Sequence, residues 1–138
     1  MTALADIEAA LSGAGSHALT RELVLSNADR ILETWLEAHG KPPTQERREG
    51  FRLLALHRQA AQGDPSFNAC RETCRELAYR YNLIDAEPSN ADAHLGAMRR
   101  LAQHLVLFIS GKMQEAQLGE FCCSSRALRT GDSSERGV

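Results

Sequence analysis

Residues 63–90 read GDPSFNACRETCRELAYRYNLIDAEPSN, and this stretch decides the fold class. Asp64 offers a side-chain acceptor for the unpaired amides of a helix start, and Pro65 has its φ preset for the first helical position. Phe67, Cys70, Cys74, Leu77, Ala78 and Tyr81 then recur three and four residues apart, the stripe of one α-helix predicted over 65–84. Glu72, Arg75, Glu76 and Arg80 lie off the stripe and can form ion pairs one turn apart. A strand would alternate with period two, and no such alternation occurs.

The same punctuation extends in both directions. Prolines fall at Pro42-Pro43, Pro65 and Pro88 and divide the chain into four blocks, because proline inside a helix removes a hydrogen bond and clashes with the preceding turn. The first block is split again by Gly13 and Gly15, giving a short helix over 3–12 and a long one over 17–39 with Ser16 as its N-cap. Gly40 and Pro42 stop the long helix. Thr44 is expected to cap a third helix that runs to Gln62, with Gly63 as its stop. Ser89-Asn90-Ala91-Asp92 resembles a capping box and opens a last segment reaching toward Leu128, with Ser110-Gly111 as the expected break. Leu19, Leu23, Val24, Ala28, Ile31, Leu32 and Trp35 form the stripe of the second block. Leu95, Met98, Leu101, Ala102, Leu105, Phe108, Ile109 and Met113 form that of the last. These patterns predict an all-α fold, a compact antiparallel helical bundle of four main helices plus a short N-terminal one. The domain is expected over 1–129, followed by a frayed polar tail over 130–138.

Composition narrows the function classes. With 138 residues, 43% hydrophobic and 25% charged, the chain has the make-up of one folded domain. Sixteen basic against eighteen acidic residues give a net charge of −2, which argues against a nucleic-acid partner. All the basic residues except Lys41 and Lys112 are arginine. Arg47, Arg48, Arg52 and Arg58, and Arg71, Arg75, Arg80, Arg99 and Arg100, are interleaved with Glu46, Glu49, Glu72 and Glu76, so a neutralised, solvated face is expected. The opening MTALADIEAALSGAG has no basic n-region and carries Asp6 and Glu8, so no secretory signal is predicted. No apolar run approaches the roughly 20 residues that span a bilayer. No membrane association and a cytoplasmic location are therefore expected.

The residues with the most chemistry are the cysteines. Cys70 and Cys74 lie one helical turn apart, and Cys122-Cys123 form a vicinal pair. Four thiolates could hold zinc, or two could form a redox pair. Against this, Cys70 and Cys74 fall on an apolar stripe, where cysteine packs as a small hydrophobe, and neither spacing matches a zinc knuckle. Packing is therefore the first reading for Cys70 and Cys74, redox the second and metal the third, with Cys122 and Cys123 expected as the more reactive pair. Among the histidines, His39 reads as a cap at a helix C-terminus, His57 and His104 as edge positions, and His94 with Met98 as a weak ligand pair. No Glu-x-x-His pair, H-E-x-x-H, G-x-S-x-G or P-loop occurs. No catalytic residue and no cofactor are predicted. The sequence thus leads to a small non-enzymatic helical module that binds another protein as an accessory, regulatory or assembly factor, or that pairs with its own copy. The alternatives are a thiol redox or metal sensor built on Cys70, Cys74, Cys122 and Cys123, and a bundle that binds a small molecule between Met98, Phe108 and Tyr81.

Overall fold

The computed structural model describes residues 3–12 and 19–116. The fold is all-α, built of five helices packed against one another: α1 (Ala3–Leu11), α2 (Arg21–Ala38), α3 (Arg52–Ala61), α4 (Arg71–Ala86) and α5 (Ala91–Ala116). Helix α5 lies against α4 and α2, α2 also meets α3, and α1 bridges α2 and α5. The predicted stripes are the faces that meet. Val24, Ala28, Ile31, Leu32, Trp35 and Leu36 of α2 are buried, as are Met98, Ala102, Leu105, Val106, Ile109 and Met113 of α5.

Local chemistry explains where the boundaries depart from the expected ones. Helix α2 starts at Thr20, whose side chain accepts a hydrogen bond from the Leu23 amide, and not at Ser16, which lies outside the described residues. It ends as expected, with His39 as C-cap, its Nδ1 3.0 Å from the Trp35 carbonyl, and Gly40 at φ +71°. Thr44 caps no helix. Its hydroxyl accepts from the Glu46 amide, and the Gln59 side chain clamps the extended segment by donating to the Pro42 carbonyl and accepting from the Thr44 amide. The chain then reverses at Arg48–Phe51, where each amide donates to the other's carbonyl at 2.9 Å and both Glu49 (φ 54°) and Gly50 (φ 88°) are left-handed. Two left-handed central residues make a type I′ turn, and α3 begins only at Arg52.

The helix predicted over 65–84 is two elements. Pro65–Cys70 is a 3₁₀ helix, in which residues three apart eclipse. Phe67 and Cys70 therefore face inward together. Asp64 caps it by accepting from the Ser66 amide, and Lys112 of α5 ties Asp64 (3.2 Å) and Ser66 (2.6 Å) to the bundle. Regular α-helix starts at Arg71, so Cys70 is the N-cap of α4 instead of an interior residue. The break expected at Ser110-Gly111 is absent, and α5 runs unbroken to Ala116. A glycine costs a helix about 1 kcal/mol, and the buried face of α5 outweighs that. The stretches expected to continue toward Leu128 and to fray over 130–138 lie outside the described residues.

Candidate functional site

Phe67, fully buried, organises the centre of the molecule. Its ring meets Trp35 (5.4 Å between centroids), Phe108 (5.7 Å) and His57 (6.1 Å). Its carbonyl accepts from His57 Nε2 at 2.8 Å and from the Cys70 thiol at 3.5 Å. That shared acceptor brings the imidazole and the thiol together, and each shifts the other's titration. One turn further on, Cys74 lies close enough to Cys70 to shift its titration. His57 is thus a buried partner of a cysteine, which corrects its reading as an edge residue. The signal was present in the sequence: His57 stands four residues after Leu53 and three before Ala60, on the inner face of α3.

This arrangement separates the two thiols chemically. Ionising Cys70 gives up its bond to the Phe67 carbonyl; the neighbouring Cys74 favours the thiolate most, burial opposes it, and His57 favours it through its hydrogen-bonding capacity and charge. Together they bring Cys70 from 9.0 down to about 6. The backbone contributes too, because Cys70 caps α4 and a helix N-terminus carries positive partial charge. Cys74 is held well above its ordinary value by its neighbour Cys70, then by burial and the Asp29 carboxylate. Burial pulls His57 down, but Cys70 and the Phe67 carbonyl more than offset it and raise the imidazole.

Asp29 of α2 closes the row on the Cys74 side. Burial raises its carboxyl from 3.8 to about 6 against the pull of Arg52, and its Oδ1 is buried with no hydrogen-bond partner among the described residues. Nothing in the residue pattern singles out Asp29, which is one acid among the polar positions of an amphipathic helix. His57, Cys70, Cys74 and Asp29 thereby form a polar row between α2, α3 and the start of α4.

Two open clefts flank the row. One, of about 440 Å³, is lined by Asp29, Tyr81 and the 49–52 backbone. The other, of about 280 Å³, has His57 in its wall together with Arg48, Arg58, Arg71, Arg75 and Glu49. The interleaved glutamates do not neutralise this second cleft as expected: Glu49 pairs with Arg75 at 3.4 Å, but Glu76 is turned to Arg80. Among the described residues Arg48, Arg58 and Arg71 have no ion-pair partner.

The remaining candidates resolve differently. His94 is buried with Nε2 2.8 Å from Glu87 and Nδ1 3.1 Å from Arg80, so both ring nitrogens are engaged and the pairing with Met98 as a ligand set fails. Met98 is fully buried and Phe108 packs on Phe67, and the cleft beside Tyr81 is lined by neither. Cys122 and Cys123 lie outside the described residues. Among the described residues no group of three or more His, Cys, Asp or Glu could hold a metal, no helix is long and apolar enough to cross a membrane, and the exposed large apolar side chains are Leu23, Tyr79 and Leu107, on three different helices. No protein-family model matches the chain, and neither curated proteins nor solved structures provide a match.

Proposed function

We propose that the protein is a thiol-based redox sensor in which Cys70 is the reacting thiol and Cys74 the resolving one. The observation that carries this reading is the place of Cys70: at the N-cap of α4, between a histidine on one side and a second cysteine on the other. A helix N-terminus and an adjacent cationic imidazole are what convert a thiol into a nucleophilic thiolate. With Cys70 only 3% exposed, a small oxidant of the hydroperoxide class fits the site and a bulky disulfide does not. The thiolate attacks the peroxide oxygen, the O–O bond breaks to leave Cys70 as a sulfenic acid, and His57 protonates the departing alkoxide or hydroxide. The Cys74 thiol then displaces water from the sulfenic acid and forms a Cys70–Cys74 disulfide, completing a two-electron oxidation.

Such a disulfide would report oxidation through the fold. Side chains four apart on a helix have Cβ atoms about 5–6 Å apart, whereas a disulfide needs about 3.8 Å. Closing the gap draws Cys70 away from the Phe67 carbonyl and rewinds the start of α4. The test is mass spectrometry of the native protein after brief hydrogen peroxide treatment. A Cys70–Cys74 disulfide is expected in the wild type, and a trappable Cys70 sulfenic acid in Cys74→Ser. If Cys70 stays a free thiol while other cysteines oxidise, the reading fails.

A further inference from the structure

The arginine-lined cleft is a second feature, and the redox chemistry makes no use of it. It is formed where the 48–51 turn, α3 and the start of α4 meet. Arg48 comes from the turn, Arg58 from α3, and Arg71 and Arg75 from α4. Four guanidinium groups facing one carboxylate, Glu49, repel each other, and three of them lack an ion-pair partner among the described residues. The whole chain is net negative, so this is a local concentration of positive charge and not a share of a basic surface. Some arginines outside the cleft pair with carboxylates, Arg52 with Glu33, Arg80 with Glu76 and Arg21 with Asp85, while Arg30, Arg47, Arg99 and Arg100 have no ion pair among the described residues either; what sets the cleft apart is that four guanidinium groups line one concavity. Guanidinium forks match the oxygens of a phosphate in bidentate fashion. A volume of about 280 Å³ is at the small end of ligand pockets, which suits a small molecule over a macromolecule.

We infer that this cleft binds a small phosphate-bearing anion, held by Arg48, Arg58, Arg71 and Arg75 in contact with His57. Its consequence for Cys70 rests on the redox reading given above. The bound anion would neutralise Arg71, whose charge disfavours protonated His57, and would lie closer to the imidazole than to Cys70, which does not line the cleft. An occupied cleft thus keeps the imidazolium beside the thiolate and speeds its oxidation.

The experiment is a titration of the full chain with inorganic phosphate and, separately, glycerol phosphate, at ionic strength matched with chloride, followed by NMR of the arginine Nε–H and His57 ring signals. Saturable shifts are expected with a Kd of about 1 mM or tighter, equivalent to roughly −4 kcal/mol. The Arg58→Gln/Arg71→Gln double variant should weaken binding at least about tenfold, or 1.4 kcal/mol, and Glu49→Gln, which removes the only acid of the cleft wall, should tighten it. Tighter binding of glycerol phosphate identifies an organic phosphate as the ligand type, and equal binding identifies the free ion. Shifts that fail to saturate or that chloride reproduces overturn the site, as does an unchanged affinity in both variants. Cys70→Ser should still bind phosphate. In the wild type, phosphate should raise the rate of Cys70 oxidation by peroxide severalfold. Saturable binding with an unchanged oxidation rate overturns the coupling to Cys70 and leaves the anion site standing. Saturable binding to a protein whose Cys70 never oxidises overturns the redox reading alone.

Discussion

Two helix seams of similar depth are built from different materials. Where α5 meets α2, the buried residues are apolar throughout the middle: Met98, Ala102, Leu105 and Ile109 against Val24, Ala28, Ile31 and Leu32. Where α3 and the start of α4 meet, the interior contains His57, Cys70 and Cys74, with Asp29 reaching in from α2. A buried polar group stabilises a fold only when its hydrogen bonds are complete, and an apolar replacement of the same shape is often neutral or better. The first seam is what stability alone requires. The second carries an orphaned carboxylate oxygen, and it exposes a histidine to a cationic cleft, features that stability does not ask for.

The largest effect expected separates the seams by what fails along with stability. Leu105→Ala and Phe67→Ala should each cost about 2–5 kcal/mol in chemical denaturation. Only Phe67→Ala should also change Cys70, because losing the ring packed on Trp35, Phe108 and His57 unseats the carbonyl that both His57 and the thiol donate to. Equal loss of Cys70 reactivity in Leu105→Ala would erase the distinction between the two seams.

Asp29→Asn comes next, and its sign depends on pH. The folded carboxyl titrates near 6 instead of 3.8, so between those values the folded state holds a proton that the unfolded state has lost. Stability from this group is therefore complete below about pH 4 and declines as pH rises through 6. Two units correspond to about 3 kcal/mol as an upper bound. Asp29→Asn should leave acid stability unchanged and stabilise the protein at pH 7–8 by on the order of 1–3 kcal/mol. A variant destabilised at pH 8 would mean that the charge has a partner.

Thr20→Ala serves as the control on the apolar side. Loss of the cap on α2 should cost about 1 kcal/mol in thermal unfolding and leave Cys70 oxidation untouched. The smallest effect is expected from Glu49→Gly. A non-glycine residue at φ 54° is strained by about 1 kcal/mol, while the exposed pair with Arg75 is worth no more than about 0.5 kcal/mol. Glycine also adds freedom to the unfolded chain, so a net gain below about 0.5 kcal/mol is expected by denaturant titration, and a loss above 1 kcal/mol would show that the turn depends on the Glu49 carboxylate.

The apolar seam was legible in the sequence and the polar one only in part. Stripes such as Leu95 to Met113 survive the glycine at 111 because helix periodicity is set by burial, not by propensity at one position. Asp64-Pro65 did mark an element start, but local capping chemistry does not tell 3₁₀ from α winding, and that difference moves Cys70 from a helix interior to a helix N-cap. The pairing of Cys70 with His57 spans thirteen residues and depends on one carbonyl, that of Phe67. The arginine cleft gathers residues from three elements, so counting charges along the chain predicted neutralisation where folding concentrates them. In the 45–51 stretch, Gly50 was the available sign of a turn, and the reach from Thr44 to a helix passed over it.

On the redox reading, His57 and Cys74 hold Cys70 as a thiolate. The ultraviolet absorbance of the thiolate as a function of pH tests this, taken as the difference between the wild type and Cys70→Ser so that Cys122 and Cys123 cancel, and read below about pH 8, where burial keeps Cys74 protonated with or without Cys70. A midpoint near 6 is expected in the wild type, moving up toward the ordinary thiol range of about 8.5 in His57→Asn. A wild-type midpoint already in the ordinary range, unmoved by His57→Asn, would contradict the account.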